Sequence, residues 1–211
     1  MSGAPTAPPR TLRGRSWRGV EFAALDFETT GLDLARDHIV SFGVVPIRDA
    51  RIPVGELVYR EVSPPAAPSP VSVSVHGLRP IDLATAPSIG AERETLRSAL
   101  HHRFIVAWAG EVESAFLAAT FGRSPAWWRR RIIDTRVLVR SVERGREPRG
   151  SLSDTAARFG VPVDDPHHAL DDALTTAELF LALATAMSHR RVATPRILLR
   201  RGRAGRLLGR T

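Results

Sequence analysis

The pattern of apolar and polar positions changes along the chain, from strand-like runs near the start to a helical repeat near the end. Three apolar runs come first and predict three consecutive antiparallel strands, at Val20–Asp26, Ile39–Ile47 and Ile52–Val62. The Pro- and Ser-rich stretch Ser63–Pro70 and the letters VSVSVHGLRP that follow it predict a loop.

The second half of the chain alternates between strand and helix. Phe104–Ala107 is typical of a buried strand. The clearest helix is Ala169–Met187, in which apolar residues recur at the i, i+3, i+4 and i+7 spacing. Shorter helical segments are predicted at Ala91–Leu100, Val112–Ala119, Ile132–Val139 and Leu152–Phe159. Strands followed by interleaved helices and strands predict an α/β fold, with helices flanking a mixed β-sheet.

Charge divides the chain into a mildly acidic body and two basic ends. Residues 1–18 hold four Arg and no acid, and residues 189–211 hold eight Arg and no acid. Because the whole chain carries +8, subtracting 4 and 8 leaves −4 for residues 19–188. We therefore predict a disordered basic leader at 1–18, one domain at 19–188 and an Arg-rich tail at 189–211. Such ends suit contact with phosphates, although solubilising tails explain them equally well.

Composition excludes several classes of protein and site. Hydrophobic residues make up 43% of the chain and charged residues 25%, which are globular proportions. No apolar run approaches the roughly 18 residues that span a membrane, and the start of the chain lacks the apolar segment of a signal peptide. We therefore expect a cytoplasmic protein without membrane contact. Cysteine is absent, so any metal must be held by carboxylates and histidines.

Two acids, Asp26 and Glu28, lie at the end of the first predicted strand. Residues two apart share one face of a strand, so both carboxylates can point at the same place. Two such anions repel each other unless a proton or a cation lies between them, and oxygen ligands favour Mg²⁺ or Mn²⁺. Taken alone the pair is a weak signal, because acids also occupy solvated strand faces.

Two further acidic positions occur at the starts of predicted helices. Asp171 and Asp172 follow a pair of histidines, His167 and His168, and Glu113 lies in the first turn of another helix. Acids in a first helical turn stabilise the helix dipole, which is a sufficient reason for their presence. A histidine beside metal-bound carboxylates would also be placed to take a proton from an attacking water.

The three acidic segments, taken in order, resemble the DEDD superfamily of 3′-to-5′ exonucleases. LDFETTGL is similar to that family's first motif, and HHALDDA is similar to the last motif of the branch that carries a histidine there. The epsilon proofreading subunit of DNA polymerase III and the RNase T-like exonucleases belong to this branch. Supporting landmarks are IVSFGVV, HGL, the tripeptide Ile133–Thr135 and LSDTAARFGVP. The resemblance covers roughly residues 20–187 and implies a ribonuclease-H-like fold.

The resemblance also implies a mechanism with two divalent ions, Mg²⁺ or Mn²⁺, that removes nucleotides from a single-stranded 3′ end of DNA or RNA. It assigns Asp26, Glu28, Glu113 and Asp172 to the metal-binding acids, with Asp26 bridging both ions, and His167 to the general base. His168 and Asp171 are then non-catalytic neighbours. The residues that it implies for holding the terminal nucleotide are Thr29, Thr30, Gly31, Leu32, His76, Gly77 and Leu78.

The middle motif departs from the family pattern, which is H-N-x-x-F-D. This chain has Trp108 and Ala109 in place of H-N, and Glu113 in place of the Asp. Two alternatives therefore stay open beside an active exonuclease: a proofreading subunit of a DNA polymerase, and a catalytically impaired domain that binds nucleic acid. Glutamine is absent, so the usual Gln-led clamp-binding peptide is not present. Association with a polymerase or with a second copy is also left open.

The run Trp127–Arg131 joins two tryptophans to three arginines. Such a run is compatible with stacking on nucleic-acid bases, but tryptophans in such a run are more often core residues covered by arginine side chains. The sequence leaves it unassigned.

Overall fold

The computed structural model describes residues 3–5, 16–31, 33, 36–143, 150–189 and 193–202. The described strands are β1 (Phe22–Thr29), β2 (Ile39–Ile47), β3 (Val58–Glu61), β4 (Phe104–Ala107) and β5 (Ile132–Asp134). The described helices are α1 (Pro70–His76), α2 (Pro80–Leu83), α3 (Ile89–Leu100), α4 (Glu111–Phe121), α5 (Pro125–Arg129), α6 (Thr135–Val142), α7 (Leu152–Arg158), α8 (Ala169–His189) and α9 (Pro195–Arg201).

The strands form one mixed sheet in the order β3-β2-β1-β4-β5. β1, β2 and β3 are antiparallel neighbours, whereas β1, β4 and β5 run parallel to one another. Parallel strands need a crossover between them, which α3 and the segment containing α4 and α5 supply. The predicted α/β fold with a mixed sheet flanked by helices is confirmed.

Each face of the sheet is covered by its own apolar cluster. On one face Phe22 and Ala24 of β1 pack with Phe180 of α8. On the other face Leu25 packs with a cluster that includes Leu117 of α4. Side chains along β1 therefore point alternately into the two cores. Asp26 and Glu28 lie on the α8 face, together with Phe22 and Ala24.

Three predicted elements differ from the structure. The letters VSVSVH form helix α1 instead of a loop, because Ser69 caps the helix, Pro70 starts it and Gly77 ends it at φ 75°. In the predicted strand Ile52–Val62, only the second half is β3, since a short 3-10 helix occupies Val54–Glu56.

The third difference lies in the predicted helix at Ile132–Val139. Its first three residues form strand β5, which pairs in parallel with β4, and the helix begins only at Thr135. The Asp134 side chain accepts the backbone N–H of Val137 and thereby caps this helix. The strand-to-helix change therefore falls at a buried acid.

The folded body extends beyond the predicted boundaries at both ends. Trp17, predicted to lie in the leader, is buried among core residues, and its indole N–H donates to Ser188 at 2.7 Å. Helix α9 lies inside the predicted tail, yet its Leu198 is buried in the core. Gly202 accepts the backbone N–H of Asp134 at 2.7 Å, so this segment packs beside the edge strand β5. Most of the predicted leader and residues 203–211 lie outside the described residues.

No helix among the described residues combines the length and the apolar character that crossing a bilayer requires.

Candidate active site

The acids of β1 lie beside Gly43 of β2, whose lack of a side chain leaves room for the first turn of α8. Asp26 pairs with Gly43 of β2, and Glu28 pairs with Ser41. A Cβ at Gly43 would lie 2.2 Å from the carbonyl oxygen of Ala169 and 2.5 Å from the Cα of Leu170. The glycine therefore lets the first turn of α8 lie directly on the sheet, beside both carboxylates.

This packing brings the end of β1 and the start of α8 together. Ligand atoms of Glu28, His167 and Asp172 all lie within 4.8 Å of one another. Glu28 and Asp172 are partly buried, and His167 is exposed. The backbone of His167 adopts φ 68°, and its N–H donates to the Asp172 carboxylate at 3.1 Å. The chain from His167 to Asp172 therefore forms a turn, and both side chains lie next to Glu28 of β1.

The middle acid, Glu113, enters from the other side of β1. It lies in the first turn of α4, its residue surface is 2% exposed, and its Oε2 atom has no hydrogen-bond partner among the described residues. The Asp134 carboxylate is also fully buried, but it accepts the backbone N–H groups of Gly110 and Val137. Glu113 therefore carries a buried carboxylate oxygen without a donor, as expected for an acid that needs a cation.

The carboxyl groups of the site lie close enough together to raise one another's pKa. Burial raises the pKa of Asp26 well above its usual range, and the charges of Glu113, Glu28 and Asp172 raise it further. Burial and then the charge of Asp172 raise the pKa of Glu28 to about 8. Burial also raises the pKa of Asp172, which the N–H and the charge of His167 oppose. These carboxylates cannot all be ionised near neutral pH without a compensating positive charge.

Glu113 belongs to the same group by proximity to Asp26. Burial raises the pKa of the Glu113 carboxyl, and the neighbouring Asp134 carboxylate raises it as well. Burial likewise raises the pKa of Asp134, against the charge of the nearby Arg136 and three backbone N–H groups. Carboxylate oxygens with one imidazole nitrogen are ligands that suit Mg²⁺ or Mn²⁺, so the residues present fit a divalent cation.

The residues expected to hold a terminal nucleotide lie at the end of β1, in the turn that follows it, and at the end of α1. Thr29 donates its hydroxyl to the carbonyl of Gly31 at 2.7 Å, and Thr30 donates its hydroxyl to Asp37 at 2.7 Å. A Cβ at Gly31 would lie 2.6 Å from the Asp37 carboxylate, so a larger residue here would displace the Asp37 side chain from the turn. Leu32 lies outside the described residues.

Helix α1 is fastened to this turn. The hydroxyl of Ser72 donates to the carbonyl of Thr30 at 2.9 Å. At the helix end, the Leu78 N–H donates to Nδ1 of His76 at 3.1 Å. Burial lowers the pKa of His76, and the charge of His167 lowers it too, which puts both imidazoles at one site. His76 therefore lies near His167, and Gly77 and Leu78 follow it directly in the chain.

Two residues beside the site were not expected from the sequence to contribute. Tyr59 of β3 pairs with Gly43, which in turn pairs with Asp26, so Tyr59 lies in the same row across the sheet. Its ring packs on the ring of His168 with centroids 4.5 Å apart. His168 contacts the Asp171 carboxylate at 2.7 Å. Only the strand register reveals this contact, because Tyr59 has no motif of its own.

The tryptophans of the sequence have different environments. Trp108, at the H-N position of the middle motif, is half-buried against the core on the α8 face. Trp128 is 1% exposed and belongs to the opposite core, and the Arg131 guanidinium packs over Trp127. The core interpretation of this run therefore holds for Trp128.

The sequence matches a known family over most of its length. A family model described as Exonuclease matches residues 23–180. The "DNA polymerase III PolC-type" protein of Thermotoga petrophila is 32% identical over 173 residues, which cover 82% of this chain and 12% of that protein. A "DNA polymerase III subunit epsilon-like protein" of Rhodobacter capsulatus is 31% identical over 176 residues, covering 82% of this chain and 25% of that protein. The chain thus spans a quarter or less of the length of these two relatives.

Solved structures show the same fold. The structure of E. coli Exonuclease I in complex with a dT13 oligonucleotide matches with a TM-score of 0.69 and 17% identity, covering 82% of this chain and 42% of that one. Cell-death related nuclease 4 matches with a TM-score of 0.64 and 16% identity, covering 78% of this chain and 64% of that one. At these identities the likeness concerns the fold alone.

Proposed function

Because the chain belongs to the exonuclease family, we propose that it is a metal-dependent 3′-to-5′ exonuclease acting on DNA or RNA. The observation that carries the proposal is the convergence of Glu28, His167 and Asp172, whose ligand atoms lie within 4.8 Å of one another. Asp26 and Glu113 adjoin this cluster, and each has a raised pKa in the absence of a cation.

The acids supply the ligands for divalent cations. We assign Asp26, Glu28 and Asp172 to a pair of sites for Mg²⁺ or Mn²⁺, with Glu113 contributing its unpartnered Oε2. When bound, such ions activate a water molecule and neutralise charge on the phosphoryl oxygens and the leaving oxygen. The raised pKa values support this assignment, because a cation removes the cost of holding several carboxylates together.

His167 is the proposed general base and links the chain to the histidine-containing branch. Its imidazole is exposed, so water and a substrate phosphate can reach it. Its backbone N–H holds the Asp172 carboxylate, which keeps base and acid in fixed relation. An imidazole in this position can take a proton from the attacking water at a ring nitrogen.

The turn after β1 and the end of α1 form the proposed pocket for the terminal nucleotide. Thr29, Thr30 and Gly31 lie on one side, held by Asp37 and Ser72. On the other side are His76, Gly77 and Leu78, near His167. Enzymes that contact the backbone and the chain end in this way act without regard to sequence.

A narrower role is proofreading beside a DNA polymerase. The two relatives named for DNA polymerase III favour it, although this chain matches only 12% and 25% of their lengths. The absence of glutamine excludes the Gln-led clamp-binding peptide within this chain. Copurification with a polymerase from the source cells would support this role, and its failure would favour an independent exonuclease. Self-association and a cytoplasmic location stay predictions.

The exonuclease proposal is tested by following nucleoside monophosphate release from an oligonucleotide with a free 3′ hydroxyl and from one with a blocked 3′ end. We expect Mn²⁺-dependent release from the free end only, and loss of release in Asp172→Asn. Equal release from both oligonucleotides would contradict 3′-to-5′ polarity. No release from either would favour the catalytically impaired, nucleic-acid-binding alternative.

A further inference from the structure

Four arginines surround the end of α5, at the end of the sheet opposite the acid cluster. We call them the arginine patch: Arg123, Arg129, Arg130 and Arg131. The segment Gly122–Arg131 contains no acid, and the described residues form no ion pair with any of the four. Arg48, Arg79 and Arg97 behave differently, since each contacts a carboxylate. The patch is therefore a local excess of positive charge in a body that is otherwise mildly acidic.

Two cations of the arginine patch share one aromatic ring. The guanidinium carbon of Arg131 lies 3.4 Å from the ring centroid of Trp127, and that of Arg123 lies 5.7 Å from it. Burial lowers the pKa of Arg131, and the like charge of Arg123 lowers it as well. Trp127 is held edge-on by the buried Trp128, with centroids 4.9 Å apart. The scaffold thus holds like charges together, an arrangement that a bound anion would stabilise.

Helix α4 connects the patch with the acid cluster. Glu113 lies in the first turn of α4, and Arg123 follows two residues after the helix ends. Ten residues separate them, which corresponds to about 15 Å along a helix. Residues 114–122 between them are all uncharged. A phosphate backbone passing from the acid cluster along α4 would therefore meet no carboxylate of that segment before it reached the patch.

We propose that the arginine patch binds backbone phosphates of the substrate strand, upstream of the 3′ end that the acid cluster holds. This inference rests on the proposed function and names its substrate class as strands long enough to reach both places. At a spacing of about 3.4 Å per stacked nucleotide, 15 Å corresponds to about four nucleotides. Substrates longer than about five nucleotides gain affinity from the patch, and shorter ones do not.

The test compares a double variant of the patch, Arg123→Ala with Arg130→Ala, with a matched double variant, Arg51→Ala with Arg158→Ala. All four arginines are exposed, and Arg158 differs from the others in that it also contacts Glu143. Binding of a 5′-labelled single strand of about twelve nucleotides is measured by fluorescence anisotropy in EDTA at several salt concentrations. Hydrolysis of a trinucleotide with Mn²⁺ is measured in parallel.

Loss of two phosphate contacts lowers the salt slope of binding by about 1.4 and weakens affinity by about fivefold to tenfold at low salt. We expect this change in the patch variant alone, with trinucleotide hydrolysis as in wild type. Equally weakened affinity in both double variants, or unchanged affinity in the patch variant, would overturn the proposal. The arginine patch would then be a solvated surface or a contact site for an acidic protein. Failure of wild type to hydrolyse any strand would refute the exonuclease proposal, while the binding comparison still decides the role of the patch.

Discussion

Glu113 combines an unfavourable effect on folding with a proposed role in the chemistry of the site. Its carboxylate is buried, lacks a donor on Oε2 and lies near the Asp134 carboxylate. The shorter Asp of the family pattern would withdraw this charge by about 1.5 Å, the length of one carbon–carbon bond. The longer side chain is therefore consistent with reaching the same cluster from a helix start that carries Trp108 and Ala109 in place of H-N.

Removing the charge of Glu113 separates its effect on folding from its proposed role in the chemistry. Glu113→Gln removes the charge that raises the pKa of Asp26, so we expect a higher melting temperature of the metal-free protein. We also expect turnover to fall by about tenfold to a hundredfold, because a metal-supporting oxygen is lost. Glu111→Gln in the same helical turn is the control and should change neither quantity. Full turnover in Glu113→Gln would exclude Glu113 from the site.

Tyr59 packs on His168, which is the neighbour in the chain of the proposed base His167. The two rings are 4.5 Å apart, and burial followed by the charge of Glu61 raises the pKa of Tyr59 to about 12, so its hydroxyl stays protonated. We expect Tyr59→Leu to lower turnover by about tenfold, because the neighbouring His167 loses a support for its orientation. Tyr59→Phe keeps the ring and should restore turnover. Values of kcat and KM on one oligonucleotide check this, and equal kcat in Leu and wild type would contradict it.

At the scale of elements, the contact between α8 and β2 assembles the site. Gly43→Ala would place a Cβ 2.2 Å from the Ala169 carbonyl, so the start of α8 must move away from the sheet. We expect a loss of roughly 1–3 kcal/mol in the free energy of unfolding, and a loss of activity because Asp172 moves with the helix. Chemical denaturation measures the first effect. Gly55→Ala is the control, since nothing lies within 4 Å of a Cβ there, and equal stability of the two variants would refute the contact.

Local pattern predicted the elements that define the site, and missed those that depend on partners elsewhere in the chain. β1, β2, β4 and α8 could be read from periodicity, since each has a continuous apolar face. The sequence predicts a helix at Ile132–Asp134, because two isoleucines and one acid show no strand period of their own. Pairing with β4 makes this segment a strand. The alternating Val and Ser of α1 predict no helix, whereas the caps at Ser69 and Gly77 begin and end one.

The acids of the site also differ in whether local pattern or contacts distant in the chain determine their positions. Asp26 and Glu28 could be placed on one face by their spacing alone, and the start of α8 by its periodicity. The burial of Glu113 against Asp134, and the row from Asp26 through Gly43 to Tyr59, follow from strand register and helix packing. No local signal encodes these contacts, so only the three-dimensional structure reveals them.

For the whole molecule, the cluster of raised pKa values predicts how stability depends on pH without metal. The pKa of Glu28 rises from 4.5 to about 8 on folding, so the folded state favours the protonated acid. This preference stabilises the folded protein fully at a pH below the pKa that Glu28 has in the unfolded chain. The stabilisation is lost as the pH rises through the pKa of Glu28 in the folded protein. We therefore expect the melting temperature in EDTA to fall between about pH 5 and about pH 8.

Differential scanning fluorimetry over this pH range checks the trend, with Glu28→Gln as the control. The variant cannot ionise at this position, so its melting temperature should fall less steeply than that of wild type. Excess Mn²⁺ should raise the wild-type melting temperature at the upper end of the range, because the ionised acids bind it. Parallel pH curves for wild type and Glu28→Gln would contradict the assigned burial of this carboxyl.

The measurement that tests the central claim most directly is degradation of 5′-labelled single-stranded DNA and RNA by the purified protein. The reactions contain Mg²⁺, Mn²⁺ or EDTA, beside Asp26→Ala, which removes one acid from a like-charged cluster and should remain folded. The account predicts a metal-dependent ladder that shortens from the 3′ end, is absent with EDTA and is absent in the variant. A ladder of unchanged intensity in Asp26→Ala, or intact oligonucleotide with both metals, would contradict it.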